Sequence, residues 1–261
     1  MSYQDIIYEV EDGTATITIN RPDVYNAFRF QTVVEMIDAF YDAGYDDAIG
    51  SIVLTGAGGK AFCTGGDQKN HDGQYQGKRG ALGMPVEELH TAIRDVAKPV
   101  IAKVRGYAIG GGNVLATLCD MTLAADTAIF GQVGPKMGSV DPGYGTALLA
   151  RCVGEKKARE IWYLCRRYTA AEAEAMGLVN KVVPEADLDA EVRAWCDEIN
   201  ERSPTAIALA KKSFNADTEM IRGIGGLAFQ ALKLYYDTDE SREGVNALNE
   251  KRKPNFRKYA K

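Results

Sequence analysis

Histidine is nearly absent from this chain. Its 261 residues contain only His71 and His90, and neither has a neighbour at ligand spacing. A zinc or other metal centre is therefore not expected. Cysteine is scarce in a similar way. The five thiols, Cys63, Cys119, Cys152, Cys165 and Cys196, are odd in number and contain no C-x-x-C pair. That excludes a disulfide scaffold. With no signal-peptide pattern at the start, it sets the expectation of reduced thiols in a cytoplasm. No apolar run approaches the ~20 residues that cross a bilayer, so no membrane partner is expected. Positive charge is in deficit too: 31 Lys and Arg against 36 Asp and Glu give a net charge of −5. No global field draws in nucleic acid. The exception is the basic stretch from Lys251 to Lys261, which reads either as a solvated tail or as a clamp for a phosphorylated ligand. RNA binding needs a basic stripe and is the non-enzymatic alternative.

What is present is a chain able to build its own core. Hydrophobic residues make up 46% and charged residues 26%, which suits one large domain or a domain with an appendage. Ile6–Val10 and Thr14–Ile19, separated by Asp12-Gly13, predict a hairpin. Val33, Val34, Ile37, Phe40 and Tyr41 recur at helical spacing. Short apolar strands are expected at 49–55, 99–104, 121–125 and 128–130, with a helix over 84–96 between them. Strands alternating with helices imply an α/β core. Beyond residue 142 the pattern is mainly helical. Thr169-Ala-Ala-Glu172 reads as a capping box, and Ser203-Pro204 as an N-cap and first-turn pair.

Two glycine-rich turns carry the chemical information. One reads Cys63-Thr-Gly-Gly-Asp-Gln68. The other reads Gly106-Tyr-Ala-Ile-Gly-Gly-Gly-Asn113 and enters a helix-compatible run, 114–119. They are expected to follow the strands at 52–55 and 99–104. Glycine lets backbone N–H groups approach a ligand closely. Two such turns converging would present two donors to one developing oxyanion. Two tight strand-to-helix connections without chemistry are the other reading.

Taken together, Asn20-Arg-Pro-Asp23, Asn26-Ala-Phe28, Ala61–Asp67, Lys98–Ala102, Gly106–Gly112, Cys119-Asp120 and Phe130-Gly-Gln132 resemble the crotonase (enoyl-CoA hydratase/isomerase) superfamily over essentially the whole chain. The resemblance implies an α/β fold: a spiral of ββα turns over 1–200 that binds the thioester, and a C-terminal helical region over 201–261 that mediates trimers or dimers of trimers. It implies an acyl-CoA substrate, with coenzyme A part of the substrate and no cofactor required. It also implies that the N–H groups of Gly66 and Gly111 bind the thioester oxygen.

The resemblance also separates reactions. The two glutamates that activate water in the hydratases fall where this chain has Val114 and Gly134, which cannot move protons. Simple hydration is thereby disfavoured. The segments Gly65–Gln68, Phe130–Lys136, Gly138–Asp141 and Lys157–Trp162 are similar to the ring-closing 1,4-dihydroxy-2-naphthoyl-CoA synthases. With 71–75, 88–95, 111–113, 139–144 and 234–242 added, the chain is still more similar to the ring-opening 2-ketocyclohexanecarboxyl-CoA hydrolases. This branch implies retro-Claisen cleavage of a cyclic β-ketoacyl-CoA through a thioester enolate, as in the anaerobic degradation of alicyclic and aromatic acids. Naphthoyl-CoA synthesis, in menaquinone formation, is the enzymatic alternative.

The implied roles are as follows. Asp141 manages water or ketone protonation, although by residue type alone an aspartate in such a turn more often caps its own backbone. Ser139 donates to the ring ketone, and Tyr236 reaches the substrate carbonyl or passes a proton. Tyr75 touches substrate, and His71 is a possible acid–base. Arg29, Thr64, Gly65, Asp67, Gln68, Tyr107 and Lys251 bind the substrate and its coenzyme A portion. Gln132, Val133, Gly134 and Trp162 form a water or anion pocket where hydrogencarbonate is possible. Cys63 reads as packing, since no Cys–His pattern supports a nucleophile.

Overall fold

The computed structural model describes residues 3–67 and 77–259. Strands β1 (Ile6–Glu11) and β2 (Thr14–Ile19) form the expected antiparallel hairpin, with Ile6 opposite Ile19. Helix α1 (Phe30–Tyr45) follows, then β3 (Ser51–Gly56), β4 (Ala61–Cys63), α2 (Val86–Asp95), β5 (Val100–Val104) and β6 (Tyr107–Ile109). Helix α3 (Gly111–Leu118) leads to β7 (Met121–Ala125), β8 (Ile129–Gly131) and the single turn α4 (Gly134–Met137). Beyond these lie α5 (Leu149–Val153), α6 (Glu155–Leu164), β9 (Tyr168–Thr169), α7 (Ala170–Ala175), β10 (Lys181–Val183) and α8 (Leu188–Asn200). Helices α9 (Pro204–Asp217), α10 (Met220–Tyr236) and α11 (Asp239–Asn249) complete the order.

The strands form two sheets. The larger runs β1-β2-β3-β5-β7-β10 and is parallel from β2 onward. Its central strands read as continuous apolar runs because both faces are covered. Alternation along them sorts the side chains. Ile52, Leu54, Val100, Ala102 and Val104 join the main core with Val33, Ile37 and Phe40 of α1. Val53, Ile101, Leu123 and Ala125 face the other way, against Leu188, Val192 and Cys196 of α8.

Of the smaller sheet, β4-β6-β8-β9, only β8 answers to an expected strand, the one at 128–130. The other strands are two or three residues long, too short for an alternating pattern to register. They correct one detail of the sequence reading. The glycine turns follow β4 and β6, not β3 and β5 directly. Strand β10 likewise returns a strand to the large sheet inside a region that reads as helical.

The C-terminal helices are bound to the rest by polar contacts. Ser203 caps α9 by accepting from the Ala206 amide at 3.3 Å. Lys211 on α9 is buried, donating to Asp120 at 2.7 Å and to the Lys98 carbonyl at 2.9 Å. Arg222 on α10 forms a bidentate pair with Asp95 on α2, at 2.7 and 2.9 Å. Leu209, Phe214, Met220 and Leu227 on these helices stay exposed. Among the described residues, no helix is long and apolar enough to cross a membrane.

Candidate active site

Strands β4, β6 and β8 are parallel neighbours, so their C-terminal ends lie side by side. The glycine turn at 64–66 leaves β4, the turn at 110–111 leaves β6, and Gln132–Gly134 leaves β8. All three segments line one cavity of about 120 Å³. This is the general position for ligands in parallel sheets, beyond the carboxyl ends of the strands.

The two glycine turns touch through their backbones. Gly65 has φ of +90°, and a Cβ there would lie 2.9 Å from the Gly111 nitrogen. A Cβ on Gly111 would in turn lie 3.0 Å from the Gly65 Cα. Only glycine at both positions permits this approach. Gly66 is fixed by its bridge to Phe28, whose N–H donates to Gly65 O at 2.8 Å and whose carbonyl accepts from Asp67 N at 2.9 Å. Gly111 is the first residue of α3, where a backbone N–H has no acceptor within the helix. The helix dipole adds partial positive charge there.

Asp141 follows α4 in a turn that enters a π-helical turn, Tyr144–Leu148. Such turns are rare and concentrate at functional sites. Both readings of Asp141 hold in part. Its Oδ1 accepts from the amides of Gly145 at 2.7 Å and Gly143 at 3.4 Å, so it does cap its own turn. Its carboxylate also lines the cavity. Ser139 Oγ lies 2.6 Å from Tyr236 Oη, across the join between α4 and the end of α10. Burial pushes the Tyr236 hydroxyl up to about 12, so it is protonated at neutral pH. Phe229 and Leu232 of α10 close the same wall. The join is tight because a Cβ on Gly143 would fall 2.8 Å from the Gly225 Cα of α10.

Val114 and Gly134 also line the cavity. A Cβ at Gly134 would lie 2.5 Å from the Ser139 carbonyl oxygen and 2.7 Å from the Trp162 ring. A glutamate does not fit there without moving backbone. Both amide atoms of Gln132 are buried without a partner among the described residues, while the Trp162 indole N–H donates to Gly145 O at 2.5 Å.

Other expected residues lie elsewhere. Arg29, Asp67, Tyr107 and Lys251 are not among the described residues that line the cavity. Arg29 is taken by Asp5, its Nε and Nη2 each 2.7 Å from a carboxylate oxygen. Asp67 is buried and accepts from Arg21 at 2.9 Å. Thr64 lines the cavity but donates its hydroxyl to Tyr25 O at 3.2 Å. Tyr107 stands half exposed, edge-on to Tyr25. Lys251 is exposed. Two basic residues of the tail are paired within the fold: Arg252 donates to Glu243 at 2.5 Å and Lys258 does so at 3.2 Å. Gln68, His71 and Tyr75 lie outside the described residues. Cys63 is fully buried, and burial pushes its thiol up to about 12, as fits packing.

The sequence reading missed His90. It sits on α2, almost fully buried, in the cavity wall, with Nε2 3.9 Å from Asp141 Oδ2. Burial lowers its pKa, against the pull of Asp141. It falls inside the helix expected over 84–96, and nothing in the local sequence points across to residue 141.

A sequence model of the enoyl-CoA hydratase/isomerase family matches residues 9–259. The chain belongs to that family, and with it to the enzymes that act on coenzyme A thioesters. An enoyl-CoA hydratase from Mycobacterium avium subsp. paratuberculosis is similar in structure, with 29% identity and a TM-score of 0.84 over 97% of this chain and 99% of that one. A carnitinyl-CoA hydratase from Mycobacterium avium shares 28% identity at a TM-score of 0.84, over 97% and 98% of the two chains. An enoyl-CoA hydratase subunit from Geobacillus kaustophilus shares 30% identity at 0.74, again over 97% and 98%.

Proposed function

We propose that the protein opens the ring of a cyclic β-ketoacyl-CoA by adding water across a carbon–carbon bond. A six-membered ring, as in 2-ketocyclohexanecarboxyl-CoA, gives pimeloyl-CoA. The observation that carries this reading is the pairing of an absence with a presence. No glutamate stands at Val114 or fits at Gly134, while Asp141, Ser139 and Tyr236 share the cavity. The similar hydratases favour hydration by family, and the missing acid–base pair argues against it.

In this mechanism the thioester carbonyl accepts from the Gly66 and Gly111 amides. Ser139 and Tyr236 hydrogen-bond the ring ketone. Asp141 takes a proton from water as the water oxygen bonds to the ketone carbon. The tetrahedral intermediate then collapses to a carboxylic acid. The ring C–C bond breaks, and its electron pair forms the thioester enolate, held by the two amides. The proton on Asp141 passes to the enolate carbon, so one water is consumed and one bond is cut. Hydrogencarbonate does not suit the residues present. The Trp162 N–H is already taken, and Val133 has no hydroxyl.

Mass spectrometry of a reaction in ¹⁸O-water tests this reading. The expected product is pimeloyl-CoA carrying one labelled oxygen in the new carboxylate. Folded protein that leaves 2-ketocyclohexanecarboxyl-CoA unchanged overturns it.

A further inference from the structure

His90 lies in the cavity wall, yet none of the groups assigned above uses it. Its ring is edge-on to Tyr144, with centroids 5.7 Å apart at 84°, and tilted against Phe229 at 6.1 Å. This aromatic seat fixes the imidazole. Among the described residues Nδ1 has no hydrogen-bond partner, while Nε2 faces Asp141 Oδ2 at 3.9 Å. That separation is too long for a direct hydrogen bond. It is short enough for one water to bond to both atoms. Asp141 suits such an arrangement because its other oxygen, Oδ1, is already held by the Gly145 amide at 2.7 Å. The carboxylate therefore cannot turn away, and Oδ2 stays aimed at the imidazole.

We infer that His90 and Asp141 together hold the attacking water, with His90 Nε2–H donating to the water oxygen and that water donating to Asp141 Oδ2. The assignment rests on the ring-opening reading. The tautomer follows from satisfaction of buried groups. An orphaned buried N–H is rarer than an orphaned lone pair, so the proton belongs on Nε2 and the bare lone pair on unpartnered Nδ1. Burial keeps the ring neutral. The water's second lone pair is then free to meet the ketone carbon. As Asp141 removes the proton, Nε2–H keeps the water oxygen in place, and the negative charge passes to the ketone oxygen held by Ser139 and Tyr236. His90 thus touches the reacting water but gains and loses no proton.

Two measurements separate this inference from the reaction it rests on. ¹⁵N NMR of labelled imidazoles reads His90 directly. The chain has two histidines, and His90→Gln removes one signal to assign the other. A neutral Nε2–H tautomer at pH 7 that shifts in Asp141→Asn is expected. An Nδ1–H tautomer or an imidazolium overturns the inference. Kinetics with 2-ketocyclohexanecarboxyl-CoA supply the second readout. His90→Leu is expected to lower kcat by ~100-fold with KM nearly unchanged, the loss that misplacing a reacting group brings. His90→Gln, whose amide N–H reaches toward the Nε2 position, is expected to recover most of that loss. Wild-type activity in folded His90→Leu overturns the inference and leaves ring opening intact. An inert wild type with the expected NMR signature overturns ring opening and leaves the His90–Asp141 pair standing.

Discussion

Asp5 and Asp141 are both largely buried carboxylates, and the fold treats them in opposite ways. Asp5 is saturated. Its Oδ1 accepts from Arg29, and its Oδ2 accepts from Arg29 at 2.7 Å and from Thr32 at 2.6 Å. Arg21 stands 3.7 Å away. Burial alone would raise the Asp5 carboxyl, but the hydrogen bonds from Arg29 and Thr32 and the charges of Arg29 and Arg21 outweigh it and hold it low. Asp141 is half satisfied: backbone amides take Oδ1, and Oδ2 looks across the cavity to His90. Most buried polar groups in proteins are paired, so an incompletely paired one calls for a reason. A saturated carboxylate fastens the chain. A half-satisfied one in a cavity wall keeps capacity for a substrate or a water. Gln132 and His90, with atoms that have no partner among the described residues, extend the same contrast to the cavity.

Substitutions can break that contrast from either side. The largest effect is expected at Asp141. Asp141→Asn keeps an oxygen for the Gly145 amide but removes the base, so kcat should fall ~100- to 10,000-fold while the melting temperature stays near wild type. Activity near wild type in steady-state assays would remove Asp141 from the mechanism.

Asp5→Asn should do the reverse. Removing charge-assisted hydrogen bonds costs about 2 kcal/mol of stability, read by urea denaturation, with kcat unchanged in the folded fraction. The pH dependence has a definite sign. The Asp5 carboxyl is lowered in the folded state, so its contribution is fully present above the ordinary carboxylate pKa and is lost as pH falls through the lowered value. The Asn variant should lose that acid dependence, and melting curves from pH 6 downward that match wild type in slope would contradict it.

The smallest effect is expected at Tyr236. Tyr236→Phe leaves Ser139 without its 2.6 Å partner and should reduce kcat by about 5-fold, the equivalent of one neutral hydrogen bond of about 1 kcal/mol. A loss as large as that of Asp141→Asn would instead make Tyr236 a proton donor in its own right.

Much of this was legible in the residues because the signals are local. The Asp12-Gly13 hairpin, the helix from 30 to 45, the capping box at Thr169 and the Ser203 cap each rest on neighbours a few positions apart. The glycine turns were legible as turns, and their family pattern pointed to Gly66 and Gly111. The three-residue strands β4 and β6 were not, since so short a run carries no period. Nor was the capture of Arg29 by Asp5. An arginine beside a family motif reads as a phosphate ligand until the fold shows a carboxylate that holds its Nε and Nη2.

The sequence by itself determined the α/β class, the family and the lack of a glutamate at Val114 and Gly134, because each is a matter of residue type at a position. Only the tertiary structure decided which polar groups are spent and which are left open. It closed Arg29, Asp67 and Arg252 into ion pairs and left Asp141 and His90 facing each other across the cavity. Satisfaction of a buried group depends on atoms brought together from distant segments. No local pattern records that meeting.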